Sequence, residues 1–152
     1  MKLADILCPA QIRVQLQSTT KRSVLRELVA LLPSAKTAES CDAILESVLD
    51  RESKMSTGIG QGVAIPHGRS DLVPDMEMAF GISRVPIEFD SLDGKPVEIF
   101  FLIVTTPAKA GAHIQALARI SRLLASERLR EGLAEVRSAE GVLELFRRED
   151  TA

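Results

Sequence analysis

An almost wholly apolar segment, residues 97–104 (VEIFFLIV), constrains the fold of this chain more than any other. A run of this kind is typical of a central β-strand that is covered on both faces. Upstream, residues 76–83 alternate between large apolar side chains and smaller or polar ones, which predicts a second strand with two unlike faces. The turn signal Asp93-Gly94 leads directly from one strand into the other. We therefore expect the two strands to be neighbours in a mixed sheet rather than a purely parallel one.

Other patterns place helices on both sides of these strands along the chain. Residues 12–16 alternate as a short strand, and Ser18, Thr19 and Thr20 offer N-caps for a helix that Pro33 ends. A second helix carries the apolar stripe Cys41, Ile44, Leu45, Val48 and Leu49, on which Cys41 is expected to be a buried free thiol. Three more helices are predicted over residues 111–125, 126–136 and 139–146. The order predicts an α/β fold in which helices cover both faces of the sheet.

Composition favours a single domain over residues 1–152 and excludes several classes of function. A net charge of −2 and the absence of Trp and Tyr argue against a nucleic-acid-binding surface. No apolar run approaches the roughly 20 residues that span a bilayer, and the N-terminus lacks the apolar core of a signal peptide. We therefore expect a cytoplasmic protein without membrane insertion. Cys8 and Cys41 have no metal-binding spacing, and two histidines make a zinc site improbable, so no metal or cofactor is expected.

The chemistry of the chain is concentrated in residues 58–69, which read GIGQGVAIPHGR. Imidazole is neutral and nucleophilic near pH 7, and His67 stands where a predicted strand ends. Pro66 keeps the preceding residue extended, and Gly68 is expected to let the chain turn sharply. The glycines at 58, 60 and 62 would let backbone N–H groups approach an anion. The spacing matches neither a dinucleotide-binding fingerprint nor a phosphate-binding loop ending in G-K-[ST]. A surface or core histidine without a functional role is the alternative.

Three further residues are candidates for the same site. His113 lies in the first turn of a predicted helix, where the helix dipole favours anions, and it shares a face with Leu117, Ile120 and Leu124. The alternative is a histidine that closes the edge of the core. Arg51 and Arg69 flank the glycine segment, and each is suited either to phosphate oxygens or to a solvated surface position.

Residues 56–68, which read STGIGQGVAIPHG, resemble the active-site segment of the IIA proteins of the bacterial phosphotransferase system, fructose/mannitol type. FDSLDGKPV at residues 89–97 and a helix that opens with HIQAL at 113–117 match as well. The resemblance covers nearly the whole chain and is closest to the stand-alone nitrogen-regulatory branch. It implies a three-layer α/β/α sandwich with a mixed sheet. Relatives usually carry an acidic residue where this chain has Ala112.

The resemblance also implies roles for these residues. His67 would accept a phosphoryl group at Nε2 from an HPr-like phosphocarrier protein (NPr in the nitrogen branch), and His113 would assist the transfer. Arg51 and Gly68 would help to hold phosphate oxygens. The phosphorylation state would then regulate partner proteins in nitrogen or potassium control. Alternatively, a sugar-transport subunit would pass the phosphate to the cysteine of a IIB domain.

Two other expectations concern the surroundings of His67. Two active sites that meet must exclude water, so the docking surface around His67 is expected to be apolar, with Ile59, Val63 and Ile65 as candidates or as core residues. A hydrolase is disfavoured, because the chain has no G-x-S-x-G motif.

Overall fold

A computed structural model describes residues 2–150 as six α-helices and six β-strands. The helices are α1 (Leu3–Ile6), α2 (Lys21–Val29), α3 (Ala38–Lys54), α4 (Ala110–Leu124), α5 (Glu127–Glu135) and α6 (Ala139–Glu149). The strands are β1 (Ile12–Arg13), β2 (Gly58–Gly60), β3 (Val63–Ala64), β4 (His67–Arg69), β5 (Met76–Ile87) and β6 (Val97–Thr105). None of the described helices is both long enough and apolar enough to cross a membrane.

Strand β6 is the centre of a mixed sheet with the order β1-β5-β6-β3-β2. It pairs antiparallel with β5, the neighbour that the Asp93-Gly94 turn predicts, and Gly94 takes the positive φ of 72° that the turn requires. On its other edge β6 pairs in parallel with β3 and then with β4. The register places His67 opposite Ile103 and Arg69 opposite Thr105. His67 therefore lies near the carboxyl end of the central strand.

Two separate cores lie on the two faces of this sheet. The larger side chains of β5 and β6, among them Phe80 and Phe101, pack against α1, α4, α5 and α6, where Phe146 completes an aromatic cluster. The smaller side chains of β5 and alternate residues of β6 pack against α2 and α3. This confirms the expected three-layer α/β/α sandwich and the mixed sheet.

Three local expectations are wrong in detail. Only residues Ile12–Arg13 of the expected strand at 12–16 are regular, although the Leu16 N–H still donates to the Ile82 carbonyl at 2.9 Å. Helix α2 ends at Val29, well before Pro33, because tighter bonds such as Leu32 N–H to Val29 carbonyl replace the helical ones. Cys41 is half-buried, and its Sγ lies 3.4 Å from the Ala35 carbonyl oxygen.

Candidate active site

An open cavity of about 370 Å³ lies where β4, α3 and α4 meet. His67, Gly68 and Arg69 of β4 line it together with Arg51 and Lys54 of α3 and with His113 and Ile114 of α4. The structure therefore brings together residues that are far apart in the sequence, including the four to which the family resemblance gives roles: Arg51, His67, Gly68 and His113.

His67 has one ring nitrogen committed and the other available. Its Nδ1 lies 3.0 Å from the carbonyl oxygen of Ile65, which only accepts, so the neutral ring holds its proton on Nδ1 and donates it. Nε2 then carries the lone pair. Among the described residues Nε2 has no hydrogen-bond partner, and it is not fully buried, so it is open to the cavity. The arrangement presents a nucleophilic nitrogen to any group that enters.

His113 lies directly beside it. The two ring centroids are 5.2 Å apart and the ring planes meet at 64°. His113 is only 3% exposed, and its Nδ1 lies 2.5 Å from Oγ1 of Thr105. Its Nε2 likewise has no hydrogen-bond partner among the described residues and is not fully buried. One phosphoryl group is small enough to contact both rings at this separation.

Both imidazoles are held neutral at pH 7. Burial lowers the pKa of His67, and the positive charges of Arg51 and Arg69 add to this effect against the opposing hydrogen bond to Ile65. Burial also lowers the pKa of His113, to about 4, with smaller contributions from the charges of His67 and Arg69. A lowered pKa leaves the unprotonated ring as the dominant form, which is the form that a nucleophile requires.

Two arginines supply positive charge at the cavity. Arg51 is half-buried, and its Nη1 donates to the Met55 carbonyl at 2.8 Å, which fixes the side chain near the end of α3. A guanidinium has five N–H donors, so others remain free. Arg69 is exposed, and among residues 2–150 its side chain forms neither a hydrogen bond nor an ion pair. It lines the cavity together with both histidines, and its charge lowers the pKa of each.

Helix α3 fixes the segment that carries His67 at two points. At one point the buried carboxylate of Glu52 accepts from the N–H and the hydroxyl of Thr57 and pairs with Lys21 at 3.2 Å. At the other point the Ser47 hydroxyl donates to the Arg69 carbonyl at 2.6 Å and accepts from the Arg69 N–H at 2.9 Å. The position of His67 therefore depends on α3.

Gly68 lies in regular strand between His67 and Arg69, so the sharp turn expected there is wrong. Its missing side chain has another cause, because a Cβ at this position would lie 2.7 Å from Ser47 Oγ and 3.1 Å from the backbone nitrogen of Val48. Gly68 thus allows α3 to pack directly against β4.

We expect Gly68→Ala to lower the free energy of unfolding by about 1–3 kcal/mol, because the added methyl group forces α3 away from β4. Urea denaturation measures the change. Gly111→Ala is the matched control, since a Cβ there would meet nothing within 4 Å and helix α4 gains a better helix former. Equal stability of the two variants would contradict this account of Gly68.

The other glycines do not line this cavity. Gly58, Gly60 and Gly62 build the hairpin of β2 and β3, in which Gly60 and Gly62 take positive φ values of 97° and 76°. Gly62 binds β6 through the N–H groups of Glu98 and Ile99, several residues along β6 from the partner of His67. The expectation that these glycines bring N–H donors to an anion beside His67 is therefore wrong.

The apolar rim of the cavity comes from α4. Ile114 is 63% exposed and lines the cavity with the half-buried Leu117. By contrast Val63 and Ile65 are core residues, and Ile59 faces another depression formed with α4 and α5. Sequence reasoning missed Ile114 and Thr105. Ile114 follows His113 directly in the sequence, which is a signal that it could line the same site. No feature of the sequence marks Thr105.

The start of α4 is also open to an anion. No side chain caps this helix, and its first turn has no acidic residue, since Ala112 stands before His113. The uncompensated N–H groups favour negative charge nearby.

Among residues 2–150 no group of three or more His, Cys, Asp or Glu side chains is placed to hold a metal ion.

The chain resembles known proteins along nearly its full length. Residues 5–149 match the family described as the phosphoenolpyruvate-dependent sugar phosphotransferase system, EIIA 2. The chain is 35% identical to the fructose-specific EIIABC component of Bacillus subtilis, with 99% of the chain aligned, although it spans only 24% of that longer protein. It is 36% identical to the nitrogen regulatory protein of Bradyrhizobium diazoefficiens over 93% of the chain and 92% of that protein.

A solved structure supports the same grouping. The nitrogen regulatory protein IIA-Ntr from Neisseria meningitidis superposes with a TM-score of 0.87 at 33% identity, covering 95% of this chain and 98% of that one. The matched residues include α3, β4 and α4, the three elements that line the cavity. The chain that sets these two neutral histidines side by side therefore belongs to the type-2 EIIA family of the phosphotransferase system.

Proposed function

We propose that this protein is a phosphoryl carrier that accepts a phosphoryl group on Nε2 of His67 from the phosphohistidine of an HPr-like phosphocarrier protein such as NPr. The observation that carries the proposal is the pairing of two neutral imidazoles, 5.2 Å apart, each with Nδ1 engaged and Nε2 toward the cavity. The role places the protein in the cytoplasm with its donor.

In the proposed transfer, the Nε2 lone pair of His67 attacks phosphorus in line with the breaking P–N bond of the donor. A P–N bond forms at Nε2, and the donor imidazole recovers the electron pair of the bond that breaks. The Nδ1 proton of His67 stays on the ring and is donated to the Ile65 carbonyl, which stabilises the positive charge that the phosphorylated ring acquires. A cationic ring is a good leaving group, so the same hydrogen bond favours onward transfer.

The surrounding groups stabilise the charge on the phosphoryl oxygens. The transition state spreads negative charge over its equatorial oxygens, so positioning and neutralisation carry most of the catalysis. We assign Nε2–H of His113, the free N–H groups of Arg51 and the guanidinium of Arg69 to these oxygens. Gly68 keeps its proposed place in the phosphate site because it lines the same cavity.

Phosphorylation would change the character of the surface around His67. The group adds about two negative charges by analogy with other phosphorylated residues, beside a rim formed by Ile114 and Leu117. Such a change alters which partner proteins bind, so we propose that the phosphorylation state regulates partners, as in the nitrogen branch. The similarity to a nitrogen regulatory protein over 92% of its length supports this role.

Transfer to a IIB domain is the second candidate, and the 35% identity to the fructose-specific component favours it. The experiment that tests the function is incubation with phosphoenolpyruvate and a purified phosphocarrier relay. We expect one phosphoryl group per chain, labile to acid and stable to base. Addition of a fructose-type IIB domain then distinguishes the two roles, because rapid transfer to its cysteine supports transport and retention of the label supports regulation. Absence of any label contradicts both.

The lowered pKa of His67 gives a prediction about pH. A histidine whose pKa lies below its ordinary 6.5 is more than half unprotonated at pH 6.5, and we expect the midpoint of its protonation at a lower pH. NMR titration of the two ring signals measures it, and His67→Ala assigns them. We expect His113 to titrate lower still, near pH 4. In Arg69→Gln, both midpoints should rise because a nearby positive charge is removed. A His67 midpoint above 6.5 would contradict the electrostatic description.

A further inference from the structure

Thr105 is the last residue of the central strand β6, and its side-chain hydroxyl contacts the ring of His113. It is fully buried, with no exposed surface, and its Oγ1 lies 2.5 Å from Nδ1 of His113. The register places it opposite Arg69 on β4. The hydroxyl is thus held between the strand that carries His67 and the helix that carries His113.

The direction of this hydrogen bond follows from what each group needs. If Nδ1 of His113 carried the ring proton and donated it, the hydroxyl hydrogen of Thr105 would need another acceptor. Within the described residues Oγ1 of Thr105 has no other partner, and a buried donor without an acceptor is costly. If the hydroxyl donates to Nδ1 instead, both groups are satisfied and the ring proton lies on Nε2.

We propose that Thr105 is a positioning residue that fixes the tautomer of His113, so that Nε2–H of His113 faces the phosphoryl site as a hydrogen-bond donor. The inference rests on the proposed function for its catalytic meaning, but the tautomer itself is a property of the unphosphorylated protein. With the opposite tautomer, the lone pair of Nε2 would face the phosphoryl oxygens and repel them.

The two histidines are then set in opposite ways by two different partners. The Ile65 carbonyl only accepts, so it holds the proton of His67 on Nδ1 and leaves a lone pair at Nε2. The Thr105 hydroxyl donates, so it holds the proton of His113 on Nε2. Neighbouring rings thereby present one nucleophile and one donor to the same small group. Burial lowers the pKa of His113, so its ring is neutral near pH 7, and a neutral ring has one nitrogen that can accept the Thr105 hydroxyl proton.

The first experiment is NMR of the protein with ¹⁵N-labelled histidine at pH 7, where both rings are neutral. We expect opposite patterns for the two rings, with Nδ1 protonated in His67 and Nε2 protonated in His113. The chain has only two histidines, so His67→Ala assigns the signals. A protonated Nδ1 on His113 in the wild-type protein overturns the proposal, whether or not the protein is ever phosphorylated.

The second experiment measures the rate of phosphoryl acceptance from the relay in three variants. Thr105→Val keeps the shape of the side chain but cannot donate, and we expect acceptance to slow by about 5- to 10-fold, the scale of one hydrogen bond. Thr105→Ser keeps the donor and should stay within about 2-fold of wild type on the same scale. Thr106→Val is the matched control, since the Thr106 side chain makes no capping hydrogen bond.

The outcomes distinguish the positioning role of Thr105 from the phosphoryl-carrier function of the protein. Slow transfer in Thr105→Val, with normal rates in Thr105→Ser and Thr106→Val, supports the positioning role. A wild-type rate in Thr105→Val overturns it, while label on His67 leaves the phosphoryl-carrier function intact. If Thr105→Val fails to fold, the NMR pattern of wild type and Thr105→Ser still decides the tautomer. If wild type takes up no label but shows Nε2–H on His113, the proposed function fails and the tautomer assignment stands.

Discussion

His67→Ala is expected to reduce phosphoryl acceptance to the detection limit while the fold is retained. Among the described residues that line the cavity, the neutral ring of His67 supplies the one nitrogen with a free lone pair, because Nε2 of His113 is assigned as a donor. His67 is half-buried at the cavity edge, so its loss leaves no cavity in either core. The measurement is uptake of label from a phosphoenolpyruvate-driven relay, with detection of the phosphorylated chain by intact mass.

The control for this result is a matched measurement on the same relay. Phosphorylation of the donor phosphocarrier must be unchanged when His67→Ala replaces the wild-type protein, and thermal unfolding must remain cooperative. Label that persists on His67→Ala would place the acceptor elsewhere and would remove the central step of the proposed mechanism.

The arrangement of the sheet was accessible from the sequence because local patterns and chain topology agree. An apolar segment at 97–104 has to be buried on both faces, and a turn at Asp93-Gly94 has to pair it with the preceding strand. Both conditions are met by a central β6 beside β5. The shortness of β1 was not accessible, since edge strands end where tertiary contacts decide, and the alternating pattern extends beyond the residues that pair.

The site was accessible in part. His67 and His113 carry recognisable chemistry, and the resemblance to a family supplied the expectation that they meet. The glycine-rich segment does not form the predicted anion loop, because positive-φ glycines serve a β-hairpin as well as a phosphate loop. Gly68 does not form the predicted turn, for a related reason. A glycine also allows close packing, and only the position of α3 shows that Ser47 and Val48 occupy the space a side chain would need.

Thr105 shows what local patterns leave out entirely. In the sequence it ends an apolar strand and reads as a boundary residue, yet its hydroxyl is buried against the ring of His113, eight positions later. Its meaning depends on where α4 begins relative to β6. The 3₁₀ turn at Pro107–Lys109 sets that distance, and it brings the first turn of α4 back over the end of the strand.

His113 is expected to contribute about 100-fold to the rate of transfer, the usual scale for one preorganised donor to a developing negative charge. We therefore expect two amides of similar polarity to differ in rate at this position. His113→Gln places an N–H donor near the position of Nε2 and should retain a substantial part of the rate. His113→Asn places its amide near Nδ1, where it meets Thr105 but not the phosphoryl group, and should lose about the full 100-fold.

Comparing His113→Gln with His113→Asn separates the effect of hydrogen-bond donation at residue 113 from the effects of its charge and its packing. His113 is neutral near pH 7, because burial lowers its pKa to about 4, so neither amide removes a positive charge from the site. Asn keeps a polar group beside the buried Thr105 hydroxyl, whereas Gln removes its partner at Nδ1, so urea denaturation is used to compare the stability of the two variants before their rates are compared. Equal rates for Gln and Asn would show that His113 acts by filling space. A rate in Asn above that in Gln would place the useful nitrogen at Nδ1 and reverse the assigned tautomer.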